Sequence, residues 1–182
     1  MIAVINCGSS KTPLIAQHLE EYQDVQVIGL LDFSTEILNQ FTGVVISGAP
    51  ILLTEIDPAP YLQKLSWIKT YQKPILGICF GHQLIGLLHG ARIAKMKEDR
   101  DFQEIEVLKD DLIFDRLPDI FEMQEDHCEA INLPNEFKLL ASSSYSEVEV
   151  MKHLEKKIYG CQFHPEVSSI DGEKFIANFL KS

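Results

Sequence analysis

The stretch Pro74-Ile-Leu-Gly-Ile-Cys-Phe-Gly-His-Gln83 decides the fold class of this chain of 182 residues. The apolar residues Pro74–Ile78 predict a short strand that is covered on both faces, and Phe80–Leu88 predicts a helix that ends at Gly90. Cys79 stands at the junction, with one glycine two residues before it and another two residues after it. This spacing is typical of a sharp strand-to-helix turn that presents a nucleophile.

The turn gives Cys79 the surroundings of a candidate nucleophile. Side chains at positions 77 and 81 would collide with neighbouring elements, which explains the two glycines. The helix N-terminus favours thiolate over thiol, and the amide of Phe80 would point to where an oxyanion forms. The alternative is a small buried cysteine at the end of a strand, and the turn alone favours neither interpretation.

Outward from this turn, the first half of the chain alternates strands with helices. Further strands are predicted at Ile2–Asn6, Val25–Leu31 and Gly43–Ser47, and helices from Thr12 to about Glu21, from Ser34 to Gln40 and at Tyr61–Tyr71. Such alternation predicts an α/β fold with a mostly parallel central sheet and helices on both faces.

The pattern changes after Gly90. Strands separated by turns are predicted at Gln103–Leu108, Phe137–Ala141, Val148–Met151 and Lys157–Phe163, and Gly172–Leu180 predicts a last helix. These strands indicate a small antiparallel region in the second half. Because the sequence has no internal repeat and no linker, we expect one domain over residues 1–182.

Composition excludes several classes of protein. The net charge of −11 and the absence of any Lys- and Arg-rich stretch argue against a nucleic-acid binder. No apolar run reaches the roughly 18–20 residues that span a bilayer, and the N-terminus lacks the features of a signal peptide. The scattered cysteines predict reduced thiols in the cytoplasm. Because no Cys or His has a metal-ligand spacing, we expect no metal and no cofactor.

A second segment, Tyr159-Gly-Cys-Gln-Phe-His-Pro-Glu-Val167, supplies a candidate partner for the thiol. Histidine titrates near neutrality, so His164 would accept a proton and return it to a leaving amine. Glu166 would orient the imidazole, because the rigid Pro165 between them limits the backbone. Taken alone, however, the segment is more simply a surface turn after a strand.

Together the two segments closely resemble class I glutamine amidotransferases. The resemblance covers nearly the whole chain and includes Ile46–Pro50 as the loop opposite the nucleophile. The stretch Met151-Lys152-His153, the Gln-Phe-His-Pro-Glu spelling and the chain length are most similar to the glutaminase subunit or domain of GMP synthetase. The resemblance implies a flavodoxin-like fold.

The resemblance also implies roles for individual residues. Cys79 would be the nucleophile, His164 the general base and acid, Glu166 its orienting group, Ala49 and Phe80 the oxyanion-hole amides, and Gly48 and Gln83 contacts of bound glutamine. The implied reaction passes through a glutamyl thioester and releases ammonia and glutamate. Ammonia would pass to a separate ATP-dependent synthetase subunit.

Three departures from the family pattern keep alternatives open. Ala49 stands where glycine is usual, and it would cost roughly 1 kcal/mol or more if the position needs a positive φ. The first strand continues into Asn6–Ser10 in place of the usual Asp-x-Gly-x-Gln. Glu125–Cys128 replaces the usual Ser-His-x-Asp, although a one-residue shift restores His127.

Acidic residues there would suit a stand-alone amide or γ-glutamyl hydrolase, and Ala49 would suit a catalytically silent binding relative. The acceptor of the ammonia, the oligomeric state and the activity without a partner stay open.

Overall fold

Eleven strands form two sheets in the computed structural model, which describes residues 1–182. The strands are β1 (Ile2–Asn6), β2 (Val25–Gly29), β3 (Gly43–Ile46), β4 (Ile75–Ile78), β5 (Ile93–Asp99), β6 (Phe102–Val107), β7 (Ile120–Gln124), β8 (His127–Ile131), β9 (Phe137–Ser142), β10 (Val150–His153) and β11 (Ile158–Cys161). The larger sheet has nine strands in the order β2-β1-β3-β4-β11-β10-β9-β6-β7, and β5 pairs with β8 in the smaller one.

Strand direction divides the large sheet into two halves. Strands β2, β1, β3, β4 and β11 run parallel, whereas β10, β9, β6 and β7 continue the same sheet in antiparallel pairs. The last parallel strand, β11, comes from the second half of the chain and lies beside β4. The carboxyl ends of β4 and β11 therefore meet at one edge of the sheet, where ligands bind in open α/β sheets.

Four α-helices cover the sheet. They are α1 (Thr12–Glu20), α2 (Ala59–Lys64), α3 (Phe80–Leu88) and α4 (Ser169–Phe179), with short 3-10 helices at Thr35–Gln40, Ser66–Lys69, Leu112–Phe114 and Pro165–Val167. None of these helices combines the length and apolar character needed to cross a membrane.

Alternation along β1 shows how the helices divide between the two faces. Ala3 and Ile5 join one hydrophobic cluster with residues of α3, while Ile2 and Val4 join another with residues of α1 and α4. Successive side chains of a strand point to opposite faces, so the sheet separates two apolar cores. The predicted fold class, with a central sheet flanked by helices on both faces, is confirmed.

Several boundaries differ from the sequence predictions. The predicted helix at Tyr61–Tyr71 is instead α2 followed by a 3-10 helix, because Leu65 leaves helical geometry with φ −99° and ψ 7°. Helix α1 begins at Thr12, as predicted, with Lys11 at the N-cap position and no side-chain cap. Strands β5, β7 and β8 were not predicted.

Candidate functional site

Cys79 joins β4 to α3 in a strained backbone conformation. Its φ is 49° and its ψ is −105°, a region that L-residues rarely occupy. A Cβ at Gly77 would lie 2.6 Å from the backbone of Gly81, and a Cβ at Gly81 would lie 2.4 Å from the carbonyl oxygen of Ile46. Both distances are far inside van der Waals contact, so the two glycines are present for the steric reason that the sequence predicted.

Strand pairing fixes the position of the Cys79 backbone. The Cys79 amide donates to the carbonyl of Cys161 at 2.8 Å, which extends the parallel pairing of β4 with β11 by one residue. The side chain of Gln162 also reaches the thiol, with Nε2 3.6 Å from Sγ. The end of β11 therefore supplies both a backbone and a side-chain contact to the strand-to-helix turn at residues 77–81, hereafter called the elbow.

His164 follows β11 and lies between Cys79 and Glu166. Its Nδ1 is 2.8 Å from Oε1 of Glu166, which leaves Nε2 available to the sulfur. Burial by itself would lower the pKa of His164, but hydrogen bonds to Cys79 and Glu166 outweigh burial and raise that pKa to about 10. The imidazole therefore holds its second proton at neutral pH.

The other three cysteines lack this environment. Burial raises the pKa of Cys7 to about 12 despite a hydrogen bond with Ser47, and burial raises the pKa of Cys161 well above its ordinary value. Burial also raises the pKa of Cys128, with the negative charge of Glu129 adding to the effect. Because the thiolate is the reactive form, these thiols are poor nucleophiles near neutral pH.

The loop after β3 closes the site on its other side. A Cβ at Gly48 would lie 3.1 Å from Cε1 of His164 and 3.7 Å from Cβ of Cys79, so this glycine is needed for close approach. Ala49 is half-buried, and its φ is not in the left-handed region. The condition under which alanine would be costly at this position, a positive φ, is therefore not met.

A cavity of about 510 Å³ opens in front of Cys79. Its walls include the predicted residues Ala49, Cys79, Phe80, Gln83 and His164, whereas Gly48 and Glu166 lie behind the wall. Charged side chains surround the opening, among them Lys11, Glu98, Arg100 and Asp126. The site is thus a polar pocket with the thiol within it.

Gln83 is buried and bound to protein groups. Its Nε2 donates to the carbonyl of Glu129 at 3.0 Å and to Oε1 of Gln162 at 3.2 Å. The Glu129 carboxylate in turn accepts from the amides of Leu53 and Thr54 at 2.8 and 2.9 Å. Gln83 therefore lines the cavity as part of a network that joins β8 to the loop beyond Ala49.

Residues 125–129 differ in burial and in their access to the cavity. Glu125, His127 and Glu129 are buried, and Cys128 is half-buried. Asp126, at the rim, pairs with Lys11 at 2.6 Å. Of the two acidic residues Glu125 and Asp126, only Asp126 lines the cavity.

Two groups of side chains have ligand atoms close enough to hold a metal ion. One comprises His89, Glu136 and His153, and the other Glu125, His127 and Glu149. Their members come from different elements, so sequence spacing did not reveal them.

Comparison with known proteins identifies the family. The sequence model of the family described as glutamine amidotransferase class-I matches residues 3–182. The chain belongs to this family. Among its relatives, a subunit of glutamine-hydrolysing GMP synthase from Pyrococcus abyssi is 39% identical over 77% of this chain and 74% of the relative. The corresponding protein of Sulfolobus acidocaldarius is 32% identical over 99% of this chain and 97% of the relative.

A solved structure extends the likeness to the fold of this amidotransferase. A crystal structure assigned to the same GMP synthase subunit in Thermoplasma acidophilum matches with a TM-score of 0.90 at 32% identity. The match covers 99% of this chain and 92% of the other.

Two residues of the amidotransferase site were missed by reasoning from sequence. Gln162 was not assigned a role, although strand alternation places it on the same side as His164, two residues later. Glu129 was not considered, yet its carboxylate and carbonyl hold the cavity wall. The alternation of side chains along the strand could have identified Gln162 from the sequence. The contacts of Glu129 are with residues far away in the sequence, so only the structure reveals them.

Proposed function

We propose that residues 1–182 form one glutaminase domain, in which Cys79, His164 and Glu166 are the catalytic residues and glutamine is the substrate. The observation that carries the proposal is the continuous arrangement of a thiol on a strained elbow, an imidazole with a raised pKa, and a buried carboxylate 2.8 Å from that imidazole. Nucleophile, base and orienting group are the three parts that thiol hydrolysis of an amide requires.

The proposed first step is attack by the Cys79 sulfur on the side-chain amide carbon of glutamine. The amides of Ala49 and Phe80 stabilise the oxyanion, and Gly48 allows the loop to approach the reacting atoms. His164 gives its proton to the leaving nitrogen, so that the C–N bond breaks, ammonia departs and a thioester remains.

The proposed second step regenerates the enzyme. A water molecule gives a proton to the now neutral His164 and attacks the thioester carbon, and the C–S bond breaks to release glutamate. Glu166 accepts from Nδ1 throughout and stabilises the imidazolium, which it can do because its carboxylate is buried and directed at the ring. Gln83 positions substrate by holding the cavity wall.

The ammonia has a proposed destination in a synthetase partner. Relatives that align with nearly the whole chain are named as one subunit of glutamine-hydrolysing GMP synthase, so we assign this chain the same part. It would supply ammonia to a separate ATP-dependent subunit that converts XMP to GMP. All four cysteines are free, as the cytoplasmic location proposed for such an enzyme requires.

Covalent labelling tests the catalytic assignment. We expect a diazo-ketone analogue of glutamine to add once per chain at Cys79, located by mass spectrometry after proteolysis. Cys79→Ser and His164→Ala should abolish or strongly slow the reaction, and free glutamine should compete with it. Cys128→Ser is the matched control, because Cys128 also lines the cavity but has a raised pKa.

Each outcome bears on a different part of the proposal. An adduct on Cys128, or a rate that is insensitive to His164→Ala, would contradict the triad. Release of glutamate and ammonia from glutamine distinguishes a glutaminase from a hydrolase of other γ-glutamyl amides. Mixing the chain with the ATP-dependent subunit of a GMP synthetase, and measuring GMP formed from XMP, ATP and glutamine, then tests the partner.

A further inference from the structure

Two carboxylates and an imidazole lie together at the wall of the cavity, which His127 lines and the two glutamates do not. Glu125 comes from the turn between β7 and β8, His127 begins β8, and Glu149 precedes β10. All three residues are buried, and the Glu125 side chain has no exposed surface. No lysine or arginine nitrogen lies within 4.0 Å of either carboxylate. This buried cluster thus contains two acidic groups without a basic side chain to neutralise them.

Four polar atoms of this cluster have no hydrogen-bond partner outside the cluster. They are both carboxylate oxygens of Glu125, Oε2 of Glu149 and Nε2 of His127. Within the cluster, the side chains of Glu125 and Glu149 are hydrogen-bonded to each other, and Nε2 of His127 lies 3.1 Å from Oε2 of Glu125. Such a cluster satisfies its buried polar atoms only through one another, and an unsatisfied buried polar atom costs about 1–3 kcal/mol, so a cation at this place would be favourable.

The remaining polar atoms of the cluster are held by neighbouring groups. Nδ1 of His127 is 3.0 Å from the carbonyl of Glu129, and because a carbonyl can only accept, the Nδ1 atom bears the hydrogen. The neutral ring then directs a lone pair from Nε2 into the cluster. Ser143 donates its hydroxyl to Oε1 of Glu149 at 2.7 Å, which leaves Oε2 directed inward. Metal ligands are typically oriented by such outer contacts.

We propose that Glu125, His127 and Glu149 bind one divalent transition-metal ion such as Zn²⁺. Their ligand atoms all lie within 4.8 Å of one another. Two ligands placed at the usual 2.0–2.2 Å from zinc are separated by about 2.8–3.6 Å for octahedral to tetrahedral angles, and the observed separation of 3.1 Å falls within that range. One imidazole with two carboxylates is also a donor set suited to such an ion.

The charge of the ion would change the state of the two carboxyl groups. Burial raises the pKa of Glu125 to about 8 against a hydrogen bond with Glu149 that lowers it, and burial raises the pKa of Glu149 well above its ordinary value. Carboxyl ligands must lose their protons to bind an ion, so metal affinity depends on pH.

The second group of potential ligands is already occupied by protein contacts. Nδ1 of His153 lies 3.1 and 3.2 Å from the amides of Glu155 and Lys156 and accepts from both, so the neutral ring has its hydrogen on Nε2 and offers no free lone pair. Glu136 is exposed and already lies 2.6 Å from Nδ1 of His89. Because the ligand atoms of the second group are already used in protein contacts, we assign the ion to the buried cluster.

An ion in the buried cluster would stabilise the backbone beside the proposed catalytic residues. The carbonyl of Gln124, next to Glu125, accepts from the amide of His164 at 2.9 Å, and the carbonyl of Glu149 accepts from the amide of Gln162 at 2.9 Å. The ion would therefore connect β7 and β10 at the points where they hold the end of β11. Its role is structural and does not depend on the proposed glutaminase reaction.

Metal titration of the full chain tests this inference. After treatment with a chelator, the wild-type protein should bind one Zn²⁺ per chain in competition with a chromogenic chelator. Co²⁺ in its place should give visible d–d absorption bands, and Zn²⁺ should raise the melting temperature. Glu125→Gln and Glu149→Gln keep the side-chain shape and should abolish binding. Ser143→Ala keeps all three ligands but removes the outer contact to Glu149, along with hydrogen bonds from the amides of Tyr145 and Ser146, and should weaken binding about 10- to 100-fold.

Glu136→Gln provides the matched control, because it changes the other group of potential ligands at an exposed carboxylate. This variant should bind the ion as the wild type does. Two results would overturn the inference: a wild-type chain that binds no Zn²⁺ and no Co²⁺, or binding lost in Glu136→Gln but kept in Glu125→Gln and Glu149→Gln. Circular dichroism of each variant checks the fold, and Ser143→Ala keeps the test decisive if a ligand variant does not fold.

Discussion

The substitution Gly48→Ala tests how closely the loop after β3 approaches the proposed catalytic residues. The new Cβ would lie 3.1 Å from Cε1 of His164 and 3.7 Å from Cβ of Cys79. Carbon atoms in good contact are about 3.5–4.0 Å apart, so the histidine ring or the loop must move by about 0.4 Å or more. The ring is held by Glu166 at 2.8 Å, and that contact must lengthen if the ring moves.

The substitution Gly48→Ala should change the free energy of unfolding only a little and the reaction rate strongly. Gly48 does not have a left-handed φ, so alanine lowers the entropy of the unfolded chain and stabilises by about 0.4–1 kcal/mol. Crowding of the packed site opposes this by about 1–3 kcal/mol, which leaves a net change within about 2 kcal/mol. A misplacement of 1 Å can reduce the rate about 100-fold, and we therefore expect the rate to fall about 10- to 100-fold.

The assay is the second-order rate of labelling by the diazo-ketone glutamine analogue, which needs no partner protein, together with urea unfolding. Cys128→Ser is the control, because it changes another residue that lines the cavity but adds no atom near the imidazole. It should label at close to the wild-type rate. If Gly48→Ala labels as fast as Cys128→Ser while remaining folded, the loop does not constrain His164.

Three further predictions concern the elbow, the imidazole and the cavity wall. Gly81→Ala places a Cβ 2.4 Å from the carbonyl oxygen of Ile46 and should lower the free energy of unfolding by about 3 kcal/mol, measured with urea. The pKa of His164, about 10, lies above its ordinary value of 6.5, so its contribution to stability is complete below about pH 6.5 and is lost as the pH rises to about 10. Urea midpoints should fall over that interval in the wild type and change less in His164→Gln. Glu129→Gln weakens the charge-assisted hydrogen bonds that the amides of Leu53 and Thr54 donate to the carboxylate. This should lower the free energy of unfolding by about 2 kcal/mol and speed hydrogen exchange of those two amides.

The parallel half of the sheet could be predicted from sequence because its signals are local. Strands β3 and β4 are apolar throughout and β1 is apolar up to its last residue, Asn6, and the boundaries of all three were predicted to within one residue. Helix α3 begins at Phe80 and ends at Leu88, as the glycine spacing and Gly90 indicated. Gly90 has a φ of 83°, which is the left-handed conformation expected after a helix.

Strand β8 could not be predicted because its buried positions are occupied by polar residues. Its buried residues alternate with half-buried ones, as in any strand with one covered face, but they are His127, Glu129 and Ile131. Hydrophobic periodicity cannot detect such a strand, because two of the three inward side chains are charged or polar. The contacts that make their burial favourable, such as the amides of Leu53 and Thr54 on Glu129, come from distant parts of the chain.

The strained elbow and the histidine segment are best understood as one unit. A non-glycine residue with the φ of Cys79 costs about 1–3 kcal/mol, and it persists only where its surroundings fix it. Here the Cys79 amide donates to Cys161 at 2.8 Å, and the Cys79 carbonyl accepts from Gln83 at 3.0 Å. Because Cys161 lies only three residues before His164, the same backbone bond that holds the strain also sets the separation of thiol and imidazole. Sequence alone identified both ends of this arrangement, but their approach depends on β11 lying parallel to β4, which only the sheet order reveals.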